Sequence, residues 1–152
     1  MNVFEANRKT RENFLKVIDG LTTEQLNKIP EGFSNNIIWN LGHLLATQQI
    51  LSYGLSDSEV ILSENIIEEF RKGTKPENTY DDQDIEELKS IFIQVINETE
   101  EDYNFEVLDS SKFKEYSTSY GVVLTSLEDA LEFNNVHEGL HLGIVMAMKK
   151  LV

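Results

Sequence analysis

The chain has 152 residues, no cysteine and a formal net charge of −14, from 13 basic and 27 acidic side chains. This length predicts a single domain, residues 1–152, with a buried core. The negative charge argues against binding to nucleic acid or to anionic membranes. The lack of cysteine excludes disulfides, cysteine-based zinc sites and a protein thiol nucleophile. No apolar signal segment opens the sequence, so we expect a cytoplasmic location.

The first predicted helix covers residues 2–18, with apolar residues at helical spacing near both ends. Asn7, Thr10 and Arg11 interrupt the middle of its apolar stripe, which leaves two interpretations open. Either these side chains line a cavity, or the stripe turns toward solvent. Thr22 to Gln25 then form a capping box that begins a short helix ending before Pro30.

The second long helix is predicted over residues 36–53, capped by Asn35 and ended by Gly54. Its apolar character does not predict a membrane span, because it also carries several polar side chains, His43 among them. His43 falls in the middle of this helix on a stripe bordered by leucines. Residues 55–80 are predicted to form a crossover that contains a minor helix near 64–72.

The third long helix is predicted to begin in the acidic cluster at residues 81–84 and to run to about residue 102. Residues 103–124 have no clear helical periodicity, and long connections of this kind tend to be functional or mobile. A capping box at residues 125–128 begins the fourth helix, which runs to Lys149 and Lys150. Its predicted inner face consists of Ala130, Phe133, His137, Leu140, His141, Ile144 and Met148. Four long helices predict an all-α bundle.

The strongest functional signal is the set of three histidines, which are the only ones in the sequence. His137 and His141 are four residues apart, so on a helix their imidazoles stack on one face with Cβ atoms about 5–6 Å apart. His43 is far away in sequence but also lies on an apolar helical face. Burying several imidazoles without a ligand or partner is unfavourable. We therefore predict that the three side chains bind one metal ion such as Zn, Ni, Cu or Fe.

The segment from His137 to His141 also matches the His-Glu-x-x-His motif of zinc proteases, in which the glutamate is the general base. We reject this interpretation, because Gly139 and Gly143 lie within the helical turns around the pair and little sequence follows His141 for a third ligand. Glu138 is instead predicted to be a surface residue or a residue that supports the ligands.

Three segments, residues 40–45, 116–121 and 134–143, together resemble the DinB-like superfamily in composition and order. The most specific element is a histidine on the second helix, His43, combined with the later pair His137 and His141. The resemblance implies a four-helix bundle with an up-down-down-up path and a long crossover between helices two and three. It also implies that these histidines are the metal ligands, with zinc or nickel bound, and that the protein forms a homodimer.

The resemblance further implies an enzyme that transfers a low-molecular-weight thiol, of the bacillithiol type, to small electrophilic substrates. The metal would lower the pKa of the thiol and so provide thiolate at neutral pH. From helical phase, Asn7, Arg11, Asn40, Tyr120 and Asn134 are predicted to shape the pocket. Two alternatives stay open: a metal-activated hydrolase, or a non-enzymatic metal-binding bundle that acts in stress or binds a partner.

Overall fold

The computed structural model describes residues 2–152, and this part of the chain is mostly helical. The helices are α1 (Val3–Ile18), α2 (Thr23–Asn27), α3 (Ile37–Gln49), α4 (Glu64–Phe70), α5 (Asp82–Asn104) and α6 (Leu127–Met148). One turn of π-helix, Ile50–Gly54, continues α3, and a 3₁₀ turn, Ser110–Lys112, follows α5. Strands β1 (Tyr116–Ser117) and β2 (Val123–Leu124) form an antiparallel hairpin with Tyr116 opposite Leu124. Within residues 2–152 no helix is long and apolar enough to cross a lipid bilayer.

Side-chain caps begin the helices close to the predicted positions. The capping box at Thr22 is confirmed, because its hydroxyl accepts from the Gln25 backbone and the Gln25 side chain accepts from the Thr22 backbone. The prediction that Asn35 caps α3 is wrong by one residue, since the Asn36 side chain accepts from the Trp39 N–H at 2.7 Å. Ser126 caps α6.

Two connections differ from the sequence-based prediction. The minor helix of the crossover ends at Phe70, earlier than the predicted residue 72, and Gly73 follows with a φ of +94°. In the region predicted to be irregular, the two short strands pair around Gly121. Strands of two residues are too short for hydrophobic alternation to identify them in a sequence.

The directions of the long helices follow from contacts between them. Along α1 and α6, the Val3 carbonyl accepts from Asn135 and the Val17 carbonyl accepts from Lys149, so both helices run the same way. Helix α5 runs opposite to α1, because Phe4 contacts Tyr103 whereas Phe14 contacts Phe92. Helix α3 runs opposite to α6, since Asn40 contacts both His141 and Met148, and His43 contacts His137.

The buried face of α6 differs from the predicted one. Leu140 is 49% exposed and Ile144 is 37% exposed, whereas the polar residues Asn134 and Glu138 are buried. Apolar residues surround much of this helix, so their periodicity cannot select the face that packs against the core. The long-range partner of Glu138, which is Arg11 on α1, explains the orientation that the helix adopts.

Candidate metal centre

Three imidazole rings meet between α3 and α6. His43 lies on α3, and His137 and His141 lie one turn apart on α6. The ring centroids are 5.2 Å apart for His43 and His137, 4.9 Å for His43 and His141, and 4.5 Å for His137 and His141. One nitrogen of each ring lies within 4.8 Å of the corresponding nitrogens of the other two. Nitrogens that bind one tetrahedral zinc ion at about 2.0–2.1 Å lie about 3.4 Å apart, so a small shift of the three rings would bring them onto one ion.

His43 is held on both sides. Its Nδ1 is 2.7 Å from the Phe70 carbonyl oxygen, which can only accept, so Nδ1 carries the proton and Nε2 presents a lone pair. The Trp39 indole stacks on the imidazole with 4.5 Å between centroids and an interplanar angle of 11°. The Thr47 hydroxyl lies 3.4 Å from Nε2. The ring is thereby fixed in one orientation and one tautomer.

His141 is oriented by a side-chain amide. Its Nδ1 is 2.7 Å from Oδ1 of Asn40, and the Nδ2 of Asn40 donates to the Asn36 carbonyl at 2.7 Å. That second bond sets the orientation of the amide, because a carbonyl oxygen requires a donor opposite it. Asn40 therefore accepts from Nδ1–H of His141 and leaves Nε2 free for a ligand bond.

His137 differs from the other two histidines. Its Nδ1 is buried and has no hydrogen-bond partner within residues 2–152. A buried polar atom without a partner is unfavourable and uncommon in folded proteins. Phe133 lies one turn earlier on α6, with its ring centroid 6.4 Å from that of His137. The unpaired nitrogen marks this side of the cluster as the place where a ligand would be accommodated.

Burial keeps all three imidazoles neutral near pH 7. Desolvation lowers the pKa of His137 to about 3, with a further contribution from His141 and His43. Desolvation, followed by the charge of His43, lowers the pKa of His141 to about 4. Desolvation also lowers the pKa of His43, although the bond to the Phe70 carbonyl opposes it. Neutral imidazoles bind metals without first losing a proton.

The donor set fits a divalent transition metal. Three neutral nitrogen ligands in one cluster are the chemistry that Zn and Ni accept. Within the described residues the cluster contains no fourth histidine, aspartate or glutamate. Three protein ligands leave at least one coordination position for water or substrate, which is the arrangement of catalytic rather than structural zinc sites.

A cavity of about 90 Å³ opens beside His43 and His137. It is bounded by α3, by the turn after α4, by the β1–β2 hairpin and by α6, and its lining residues are His43, Thr47, Ile50, Leu51, Lys72, Tyr116, Thr118, Ser119, Phe133 and His137. This volume is below the 300–1,000 Å³ of pockets for drug-sized ligands. The cavity therefore suits a small molecule or one end of a longer one.

Close packing at Gly42 places the end of α4 against the histidine cluster. A Cβ at Gly42 would lie 2.4–2.6 Å from atoms of the Phe70 ring, so only glycine permits this approach. Phe70 is 2% exposed, and its carbonyl oxygen is the one that accepts from His43. The same contact holds the turn that carries Lys72 at the cavity.

The sequence matches the DinB superfamily over residues 6–145. The chain belongs to the DinB superfamily. The matched segment contains all three histidines of the cluster, which confirms the resemblance predicted from the sequence motifs. No curated protein matches the chain.

Of the five predicted pocket residues, Asn40 contacts the cluster through His141. Tyr120 is 60% exposed, and its ring lies 6.1 Å from that of Phe133, a residue that lines the cavity. None of the five is among the residues that line the cavity beside His43 and His137. The predicted pocket residues of this DinB-superfamily protein therefore lie in three places. Asn40 is at the histidine cluster and Tyr120 is at the surface, whereas the other three are in the core.

Asn7, Arg11 and Asn134 lie in the core, on the other side of α6. Arg11 is 0% exposed and its Nε donates to both carboxylate oxygens of Glu138 at 3.1 Å. Its remaining nitrogens donate to Glu138, to the Gln48 side chain and to the Phe92 carbonyl. Asn134 donates to Glu138 at 2.9 Å, whereas the amide of Asn7 has no partner within residues 2–152.

The prediction that Glu138 lies at the surface is wrong, because its side chain is completely buried against Arg11. A carboxylate that accepts three bonds from one guanidinium is a structural anchor, as in other buried ion pairs. Periodicity could not detect this pair, because its two members are 127 positions apart.

Apart from Asn40, sequence reasoning did not identify the groups that orient or flank the histidines. Trp39 lies one turn before His43, and its aromatic character at that spacing is a signal that could have been used. The Phe70 carbonyl is a backbone group and carries no residue-type signal. Lys72 and Thr47 line the cavity, and only the packing of α4 on α3 brings Lys72 there.

Proposed function

We infer that this protein is a metal-dependent enzyme that transfers a low-molecular-weight thiol to a small electrophilic substrate. The observation that supports a metal is the meeting of three neutral imidazoles, with one nitrogen of each within 4.8 Å of the other two. The unpaired Nδ1 of His137 supports it further. Membership of the DinB superfamily is compatible with the same site.

In the proposed reaction the chain positions the ligands before any substrate arrives. Asn40 and the Phe70 carbonyl hold the Nδ1 protons of His141 and His43, which leaves the Nε2 lone pairs of both rings available to a metal ion. Zinc or nickel bound there would supply Lewis-acid chemistry that lowers the pKa of a thiol. The cavity beside His43 and His137 then admits the thiol from one side.

The transfer itself is a substitution at the electrophile. The thiolate sulfur forms a bond to the electrophilic carbon, the bond from that carbon to its leaving group breaks, and the leaving group departs with the electron pair. The proton of the thiol is released to solvent. Ile50, Leu51 and Phe133 line the cavity with apolar surface that would limit the entry of water.

The proposal is tested with zinc- or nickel-loaded protein, chlorodinitrobenzene as electrophile and bacillithiol as thiol. We expect turnover that requires added thiol and releases one chloride for each thioether formed. His137→Ala should reduce the rate to the uncatalysed value, whereas Lys75→Gln, an exposed change elsewhere, should not.

The outcomes also distinguish the alternatives. Turnover of a hydrolysable ester at the same rate with and without thiol would overturn the transferase and favour a metal-activated hydrolase. If metal binds but neither reaction exceeds the uncatalysed rate, the enzyme proposal fails and a metal-binding stress or partner-binding protein replaces it.

We also propose that the four long helices, α1, α3, α5 and α6, form an up-down-down-up four-helix bundle within a single domain. The contacts that set α1 parallel to α6, and α5 opposite to α1, support this path. The crossover between α3 and α5 carries α4, whose end packs on Gly42.

A homodimer is the assembly we propose, with a second copy of the chain on the exposed face of α6. Val136, Leu140 and Ile144 are exposed apolar residues at helical spacing. Gly139 and Gly143 meet nothing within 4 Å where a Cβ would stand, so another helix could approach closely. Light scattering should give the dimer mass for the wild type and the monomer mass for Leu140→Glu, with the exposed Val123→Glu unchanged. A monomeric wild type at micromolar concentration would overturn this assembly.

A further inference from the structure

The cavity beside the histidines differs in charge from four other clefts of the molecule. Its lining contains no aspartate or glutamate, and it has one positively charged side chain, Lys72. Four other clefts are each lined by at least three acidic residues. These are Glu69, Asp84 and Glu87; Glu106, Asp109 and Glu128; Glu68, Glu69 and Glu77; and Asp57, Glu59, Asp102, Glu106 and Asp109.

This contrast matters because the whole chain carries a net charge of −14. Its overall field repels small anions, but at physiological ionic strength that field is screened beyond about 8 Å. Within that distance the charges that line a cavity decide which ligands are favoured. A cavity without carboxylates and with one lysine favours an anion over a cation of the same size.

Lys72 is available to bind such an anion. It forms no salt bridge with another residue of the segment 2–152, whereas Arg71 beside it pairs with Glu68 at 2.8 Å. The packing of Phe70 on Gly42 fixes the turn from which Lys72 extends. Lys72 is two positions after Phe70, whose carbonyl holds His43, so the cation and the histidines are supported by the same short segment.

Hydroxyl groups complete the polar lining on the hairpin side. The hydroxyl of Thr118 is already bonded to the backbone of Val122. Those of Tyr116 and Ser119 make no hydrogen bond with any described residue, although both residues line the cavity. Each hydroxyl can donate a hydrogen bond to a negatively charged oxygen. The cavity thus places hydrogen-bond donors and one cation around a small space that ends at His43 and His137.

We propose that the cavity selects a ligand carrying an anionic group, such as a carboxylate, which Lys72 holds while the other end of the ligand faces the histidines. This inference rests on the proposed thiol chemistry and adds that the part of the thiol inside the cavity carries an anionic group close to its sulfur. The cavity volume of about 90 Å³ limits the part of the ligand between the sulfur and the anionic group to a few atoms. Lys72 is a specificity residue in this scheme, since it is separate from the three ligands.

The test uses three thiols of nearly equal length that differ in charge, namely 3-mercaptopropionate, 2-mercaptoethanol and cysteamine. Isothermal titration of the metal-loaded protein gives the affinity for each. We expect 3-mercaptopropionate to bind about fivefold more tightly than 2-mercaptoethanol, as suits one ion pair with the exposed Lys72, and cysteamine to bind most weakly. Raising the salt concentration should reduce the difference.

Lys72→Gln should remove the preference for 3-mercaptopropionate without changing the affinity for 2-mercaptoethanol. Lys75→Gln is the matched control, because Lys75 is an exposed lysine three residues away that lines a different cleft. Metal content measured on each variant establishes that the histidine cluster is intact.

The outcomes separate this inference from the proposed function. Equal affinities for the three thiols, or a preference that survives in Lys72→Gln, would overturn the anionic specificity and leave thiol binding in place. Failure of all three thiols to bind the metal-loaded protein would overturn both the thiol chemistry and the specificity built on it.

Discussion

Neighbouring residues of α6 belong to two polar clusters with opposite properties. Glu138 faces the core, where the ion pair with Arg11 is completely buried and bonded to Gln48, Asn134 and a backbone carbonyl. His137 faces α3, where its Nδ1 is buried and has no partner within residues 2–152. The two charges of the first cluster are paired with each other, although Oδ1 of Asn134 has no partner among the described residues. In the second cluster the unpaired atom belongs to a side chain that can bind a metal ion.

The difference indicates which cluster stabilises the fold and which one serves a ligand. Buried charges are tolerated when they are paired and hydrogen-bonded, and Arg11 is bonded to Glu138, Gln48 and Phe92. An unpaired imidazole in the same helix is unfavourable until something binds it. The histidine cluster is therefore the part of α6 that we expect to reduce stability in the metal-free protein.

Breaking the ion pair should have the largest effect. Arg11→Ala leaves the Glu138 carboxylate buried without its partner, and we expect a loss of about 3–5 kcal/mol in the free energy of unfolding. Arg8→Ala is the control on the same helix, because Arg8 pairs with Glu100 at a partly exposed position and such pairs contribute about 0–1 kcal/mol. Urea unfolding measures both. Equal losses would refute the structural role of the buried pair.

Replacing both members of the pair provides a further comparison. Arg11→Met combined with Glu138→Leu removes both charges and keeps most of the side-chain volume, so the double variant should recover most of the stability lost in Arg11→Ala. If it is as unstable as the single variant, packing rather than the unpaired charge explains the loss.

Removing the hydrogen bond that orients His141 should lower the affinity for metal. Asn40→Leu deletes the acceptor at Nδ1 of His141, and loss of such a supporting bond typically lowers metal affinity by about 10–100-fold. Competition with a chromophoric chelator measures that affinity. Tyr120→Leu, at an exposed position, should leave it unchanged. Equal affinities for wild type and Asn40→Leu would mean that Asn40 does not orient the ligand.

Replacing His137 should change the free energy of unfolding less than Arg11→Ala does, and in the opposite direction. His137→Leu removes a buried nitrogen that lacks a partner, so the metal-free variant should be more stable than the metal-free wild type by about 1 kcal/mol. Chemical unfolding in the presence of a chelator tests this. A destabilisation of 2 kcal/mol or more would place His137 among the residues that hold the fold together.

Acid should weaken the metal-free protein through the same histidines. The pKa values of His137 and His141 are lowered from 6.5 to about 3 and about 4, so below pH 6.5 the unfolded chain binds protons that the folded chain does not. Their contribution to stability is complete above pH 6.5 and is lost progressively as the pH falls toward these values. Between pH 6 and 5 the free energy of unfolding should fall less steeply with pH in His137→Leu than in the wild type, by up to about 1.4 kcal/mol per pH unit. An unchanged slope would contradict burial of a neutral His137.

Much of the helical architecture and the histidine cluster could be predicted from the sequence, because both depend on local patterns. The capping box at Thr22 and the spacing of His137 and His141 are signals that do not require knowledge of the tertiary structure. The pairing of Glu138 with Arg11 could not be predicted in this way, because it joins distant segments. The exposure of Leu140 follows from that pairing, so the predicted inner face of α6 was wrong for the same reason.

The central claim is that His43, His137 and His141 together bind one divalent metal ion. The most direct test is a zinc titration of untagged, chelator-treated protein by calorimetry, with inductively coupled plasma analysis of the dialysed complex. We expect one zinc per chain, and an affinity lower by roughly 100-fold or more in His137→Ala, because loss of one of three ligands should cost at least as much as the 10–100-fold loss typical of a supporting bond. Substoichiometric zinc after dialysis, or an affinity unchanged in His137→Ala, would contradict the claim.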